Sequence, residues 1–224
     1  QILYGGNLKE AEKKCREFLK VNPTNTHAMS MLAEIASRLG HLNDSEFLLE
    51  SAVKLNPKDS EIRKKYLLIS RKRQKFSKTM EQADILVQQN PHNLSFQAQN
   101  AIEVMQNGDH EESIRLLENI LEKAPLDPNT LTAKGHAEKT LGRTEDAIKS
   151  YQTAYNSKHD HGEAYFSLAN LKTYKFDDEE ISQMKNQLKR VDISIGDRTY
   201  FHFALAQACE SIGDYDEAFY HLDH

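Results

Sequence analysis

The sequence has no tryptophan, two cysteines, five prolines and no long apolar stretch in its 224 residues. Each shortage excludes something. No apolar run approaches the roughly 18–20 residues that cross a bilayer, so a membrane-spanning helix is not expected. Residues 1–14 lack a basic-then-apolar order and already contain Glu10 and Glu12, so they do not read as a signal peptide. Cys15 and Cys209 sit near opposite ends, which excludes a disulfide-stapled secreted fold and points to a reducing, cytoplasmic compartment. With 29 Lys and Arg against 34 Asp and Glu, the formal net charge is −5, and a general nucleic-acid binder is not expected. Hydrophobic residues make up 38%, little for one spherical core.

The few prolines are regularly placed. Pro23, Pro57, Pro91 and Pro125 are each 34 residues apart, and one further step lands on His159 in a loop-like stretch. Gly6, Gly40, Gly108 and Gly142 each lie 17 residues before a mark of that ruler; Ala11 and Ala147 lie 12 before one, Ala52 and Ala154 five before one. A period in this range denotes stacked supersecondary units that bury their apolar faces on one another.

Each unit reads as two helices. Over 128–161 the first helix carries Leu131, Gly135 and Leu141, and after Gly142 the second carries Ala147, Ile148, Tyr151 and Ala154 at helical spacing. Small residues at Gly135, Ala147 and Ala154 allow the paired helices to approach closely. Asp127 before Pro128 is a helix start. Asn43/Glu46, Asp109/Glu112 and Asp214/Glu217 each read as a cap with Glu three residues on, opening a second helix. Some positions break the pattern: Arg63 stands in an aromatic slot, Gln97 and Asn100 in apolar ones, Lys134 where Leu is expected.

These residues resemble the tetratricopeptide repeat (TPR) family over essentially the whole chain. Met29, Leu32, Ala33, Gly40, Ala52 and Pro57 match its pattern; so do Leu131, Gly135, Gly142, Ala147, Tyr151 and Ala154, then Tyr165, Leu168 and Ala169, and finally Leu205, Ala206, Gly213, Ala218 and Leu222. The resemblance implies an all-α, right-handed superhelical solenoid of about six to seven helix-turn-helix repeats, the terminal ones truncated. The repeats divide as 1–25 (partial), 26–59, 60–93, 94–127, 128–161, 162–198 and 199–224 (partial). A solenoid normally ends in a polar capping turn; both ends here look cut, so a longer parent protein is expected. The 162–198 repeat is three residues long for the period, with a less regular second helix near Asp178–Leu188 and a loop over Val191–Asp197.

Catalytic motifs are missing: there is no Gly-rich phosphate loop, CxxC pair or HExxH. No enzyme activity, cofactor or metal is expected of this chain. His159-Asp160-His161 reads as a solvated turn, and His221 and His224 read the same way. Cys15 and Cys209 fall on helix-packing positions, and Asp177–Glu180 reads as a charged helix start.

The family resemblance implies that first helices line a concave groove, which makes surface the functional feature. Lys64, Leu68, Arg71 and Lys72 share one helical face. They lie in a segment, Glu61 to Lys78, where Arg63, Lys64, Lys65, Arg71, Lys72, Arg73, Lys75 and Lys78 face a single acid, +7 within a chain of −5. Two readings stand: a solvated face whose cations complete a helix C-terminus, or an anchor for acidic peptide groups. Further groove positions are Ile102, Met105, His136, Lys139, Phe166, Asn170, Tyr174, Tyr200, Phe203 and Gln207, suited to an extended peptide or an amphipathic helix, although Ile102 and Phe203 could equally pack repeats together. The carboxylate clamp of some family members wants Asn where Leu68 stands. The expected function is a non-catalytic scaffold for a protein or peptide partner, with acidic residues in that partner; neither a membrane nor nucleic acid is expected.

Residues 165–176, 201–208 and 213–219 also resemble the end of the TPR region in bacterial proteins that continue into a PAPS-dependent sulfotransferase domain. That resemblance implies an alternative, a substrate-recognition module whose catalytic domain lies beyond residue 224.

Overall fold

The first helix of a repeat starts three residues after the ruler proline, because the residue just before it is a short polar cap. Asn25, Asp59, Asn93 and Asp127 recur at the 34-residue period, and each accepts a backbone N–H two or three residues on: Ala28 at 2.8 Å, Ile62 at 3.0 Å, Ser95 and Phe96 at 3.0 and 3.2 Å, Thr130 at 2.8 Å. Each such cap is worth about 1 kcal/mol against alanine. The computed structural model describes residues 8–171 and 173–223, so Gly6 and His224 lie outside the described residues.

Thirteen α-helices and no strands are present among the described residues. Residues 1–107 form one compact unit and residues 108–224 another. The first contains α1 (Leu8–Val21), α2 (Thr26–Arg38), α3 (Leu42–Leu55), α4 (Ser60–Lys72), α5 (Phe76–Gln89) and α6 (Leu94–Gln106). Each of these helices packs on the next, and α2 also touches α4, so first helices of adjacent repeats meet. Ala33, Leu49, Ala52, Tyr66 and Ile69 form one buried cluster here, and Leu67, Ala83, Leu86 and Phe96 a second.

The second unit contains α7 (His110–Leu121), α8 (Pro128–Thr140), α9 (Thr144–Ser157), α10 (Gly162–Ala169), α11 (Asp178–Leu188), α12 (Ile195–Ser211) and α13 (Tyr215–Asp223). Its core joins Ala147, Tyr151 and Ala154 of α9 to Tyr165 and Leu168 of α10 and to Phe201, Ala204 and Leu205 of α12. Gly135 is needed for close packing: a Cβ there would lie 2.5 Å from the buried Tyr151 ring. Gly162 serves the same purpose where α10 meets α12, since a Cβ would lie 2.6 Å from the carbonyl oxygen of Asp197.

The sequence expectations need four adjustments. Asn43 is not a cap: α3 already begins at Leu42, and Glu46 turns into the interior. The loop expected over Val191–Asp197 is shorter, because Ser194 caps α12 by accepting the Asp197 N–H at 3.0 Å and the helix starts at Ile195. His161 and His221 are buried rather than solvated. His161 Nε2 meets Thr132 Oγ1 at 2.9 Å, and His221 Nδ1 meets His202 Nδ1 at 3.1 Å. Of the two cysteines, both free thiols, Cys209 is buried and Cys15 half-buried.

The irregular repeat is held by a polar knot. α10 stops after eight residues, and residues 174–177 lead into α11 without regular secondary structure. Asp177 and Glu180 form a reciprocal capping box at the start of α11. The buried Glu180 carboxylate also accepts the hydroxyls of Tyr155, at 2.7 Å, and Tyr174. Burial, with the nearby carboxylate, pushes both phenols up, so both remain donors.

Candidate functional site

Five of the eight cations in the basic segment of α4 and α5 pair with carboxylates of the chain itself. Glu46 of α3 is buried, at a slot where the following repeats place Met80, Ile114 and Ile148. It pairs with Arg73, with Lys75 at 2.8 Å and with Lys78 at 3.4 Å. Burial alone would raise its carboxyl, but the Lys75 hydrogen bond and the Arg73 and Lys75 charges outweigh that and hold it below the usual carboxylate range. Glu103 of α6 is also buried, where equivalent positions hold Ile35 and Ile69, and it pairs with Arg71. Lys65 reaches Glu34 at 3.3 Å. Buried charges persist only when paired, and these pairings give five of the segment's eight cations a carboxylate partner within the chain.

Arg63 explains its unexpected slot. It is buried, with Nη2 donating to the carbonyl of Pro57 at 2.7 Å and Nη1 to Gln82. Gln97, one period later, makes the same reach to the carbonyl of Pro91. Both polar residues thus satisfy the backbone of an inter-repeat turn. Lys134 likewise pairs with Glu118 at 3.0 Å and with the buried Glu138 at 3.4 Å.

Among the described residues, Arg63, Lys64 and Lys72 are the cations of this segment with no ion pair, and Arg63 is already engaged by the Pro57 carbonyl and Gln82, which leaves Lys64 and Lys72. These two lie four residues either side of Leu68, whose side chain is 38% exposed, and all three share one face of α4. Beside that face a cavity of 510 Å³ opens between α2, α3 and α4. Its buried part consists of Ser30, Ser45, Leu49 and Ile69; Glu34, Ser37, Lys65, Leu68, Arg71 and Lys72, less buried, surround it. Three of the expected groove residues therefore line one cavity, whereas Lys64 is only adjacent to it. Ile102 and Met105 sit half-buried on α6.

The α2 wall was absent from the expected site, although the ruler contains it. Ser30, Glu34 and Ser37 lie 34 residues before Lys64, Leu68 and Arg71. Basic and aromatic residues attract attention as candidate contacts; small serines do not, and it is their small size that leaves the space.

In the second unit the expected residues fall into two groups. Phe166 of α10 meets Tyr200 and Phe203 of α12, with ring centroids 5.2 and 6.0 Å apart, and Phe203 is 47% exposed. Asn170, at the C-terminal cap of α10, and Gln207 of α12 are exposed. On α8, Lys139 is exposed and His136 is held between Tyr151 Oη at 3.0 Å and Glu163 Oε1 at 3.5 Å. Tyr174 stands apart: its hydroxyl lies with Gln152 of α9 and Glu180 of α11, so it belongs to the polar knot. No group of three or more His, Cys, Asp and Glu side chains is arranged to hold a metal among the described residues, and no described helix is long and apolar enough to cross a membrane.

Residues 3–66 match the tetratricopeptide repeat family model, and residues 72–185 match the model of the Psidin N-terminal TPR repeats region. No curated protein matches the chain. Among solved structures, a tetratricopeptide repeat protein from Parabacteroides merdae is 13% identical with a TM-score of 0.71, covering 99% of this chain and 87% of that one. MamA is 16% identical with a TM-score of 0.63, over 70% of this chain and 92% of its own. YrrB, described as a TPR protein with an unusual peptide-binding site, is 10% identical with a TM-score of 0.55, over 94% and 98%. At such identities the likeness is one of fold, an all-α repeat solenoid.

Proposed function

The chain belongs to the tetratricopeptide repeat family, and on that premise we propose that it is a non-catalytic scaffold that binds a protein or peptide partner along the faces of its first helices. The observation that carries this reading is the cavity between α2, α3 and α4, whose bordering cation Lys72 has no ion-pair partner among the described residues. The aromatic group of the exposed Phe203 with the half-buried Phe166 and Tyr200 supports a second contact area within the other unit. A peptide-binding site is described for YrrB, a protein of similar fold. The partner's acidic character follows from charge: residues 1–107 carry 16 Lys and Arg against 12 Asp and Glu, whereas residues 108–224 carry 13 against 22. Acidic side chains are therefore drawn to the first unit and not to the second.

The alternative, a module that presents substrate to a sulfotransferase domain after residue 224, rests on the resemblance of its last repeats alone. The matching family models are both repeat models.

A peptide array probed with the purified protein tests the scaffold reading. Bound peptides should be lost from the Lys64→Glu/Lys72→Glu double variant and retained by Lys149→Glu, which reverses an exposed charge on a second helix. Arg71 is unsuitable for reversal, because a glutamate there would face the buried Glu103. Equal capture by all three proteins would remove the first-helix face of α4 as the contact.

A further inference from the structure

We infer that the α2–α3–α4 cavity is a specificity pocket for an extended peptide carrying a large apolar side chain at one position and acidic side chains two residues before and two residues after it. The inference rests on the scaffold reading and specifies what the first unit selects.

The spacing comes from α4. Lys64 and Lys72 are eight residues apart on one helical face, which is about 12 Å at 1.5 Å per residue. An extended peptide advances about 3.3 Å per residue and points positions i, i+2 and i+4 to the same side, so i and i+4 are about 13 Å apart. Acids at i and i+4 thus match the two unpaired lysines, and the residue midway between them falls at Leu68, on the border of the cavity.

The cavity suits that middle residue. Its 510 Å³ lies within the about 300–1,000 Å³ typical of ligand pockets. Leu49 and Ile69 give it an apolar interior. It also holds a polar group in want of a partner. Ser45 is fully buried, and its Oγ makes no hydrogen bond among the described residues, whereas Thr79, one period on, donates its hydroxyl to the carbonyl of Lys75 at 2.9 Å. A buried hydroxyl normally finds a partner, and a polar atom on the inserted group would supply one. A tryptophan indole N–H fits that description.

Charge selects for acids as well. Every other cation bordering the cavity already has a carboxylate: Lys65 has Glu34 and Arg71 has Glu103. Lys64 and Lys72 are free to pair outside the chain without breaking an internal bridge, so their reversal leaves the fold's own ion pairs intact.

The chain has no tryptophan, so the fluorescence of a Trp-containing peptide reports on the peptide alone. The probe is a nine-residue peptide with glutamates at positions 3 and 7, tryptophan at 5 and Gly or Ser elsewhere. Titration with the protein should shift its emission to the blue. Affinity should fall at least tenfold when glutamines replace both glutamates or when the glutamates move to positions 4 and 6. The Lys64→Glu/Lys72→Glu variant should lose affinity to a similar degree, and Ser37→Phe, which fills the half-exposed border of the cavity, should abolish the blue shift; circular dichroism melts verify that both variants fold. Binding indifferent to glutamate spacing, or a blue shift that survives Ser37→Phe in a folded protein, would overturn the pocket. If array peptides of other patterns bind while this probe does not, the pocket fails and the scaffold reading stands. If no peptide binds at all, both fail.

Discussion

Replacing Glu46 with glutamine keeps the side chain's shape and removes the charge that Arg73, Lys75 and Lys78 share. The carboxylate is 4% exposed, while the three cations are 27%, 40% and 31% exposed and can turn toward water once released. That places the expected loss between the roughly 3–5 kcal/mol of breaking a fully buried pair and the roughly 0–1 kcal/mol of a surface pair, at about 1–3 kcal/mol. Urea denaturation followed by circular dichroism at pH 7 measures it directly, as a lower midpoint with unchanged slope. The pH dependence supplies a second check. The folded carboxyl is held below its usual range, so the stability it gives is complete above the unfolded carboxyl value, about 4.3, and is lost as pH falls through the folded one. Wild type and Glu46→Gln should therefore differ at pH 7 and converge as pH falls through the lowered folded value. Equal midpoints at pH 7 would refute the claim that the basic segment serves internal carboxylates first.

Three further outcomes are expected. Gly162→Ala should destabilise the second unit by about 1–3 kcal/mol in chemical denaturation, because its Cβ would press on Asp197 backbone that cannot rotate away; a neutral result would contradict the tight α10–α12 contact. Gln74 holds a left-handed φ of 57° one period after Gly40, so Gln74→Gly should stabilise by about 0.5–1 kcal/mol, the relief of αL strain less the added chain entropy. Burial holds His161 below the usual imidazole range, so the unfolded chain binds more protons on acidification, and stability should fall as pH drops through about 6.5. His161→Gln should flatten that part of the profile, and an unchanged pH slope would point to other histidines.

Much of the helical scaffold can be read from one period. The prolines, the glycines and the Asx residue two positions after each ruler proline locate turns and caps through local chemistry alone, so helix caps such as Asp59 and Asn93 follow from the spacing. The buried acids do not. Whether Glu46 or Glu103 faces solvent depends on a cation that another helix brings within reach, and in the sequence each looks like any exposed helical glutamate. The site was half legible for the same reason. Leu68 and Lys72 lie where helical spacing places them, but only the ion pairs tell Lys64 and Lys72 from Arg71 and Lys75. The cavity is formed by small residues, Ser30, Ser37 and Ser45, which no motif would single out.

Nuclear magnetic resonance of the isotopically labelled protein, titrated with a peptide captured on the array, tests the first-helix account most directly. Amides of residues 30–37 and 64–72 should shift together and saturate at one affinity, with α3 perturbed only where it borders the cavity and α5 unperturbed. Shifts confined to the outer faces of α3, α5 or α9, with α2 and α4 silent, would contradict it.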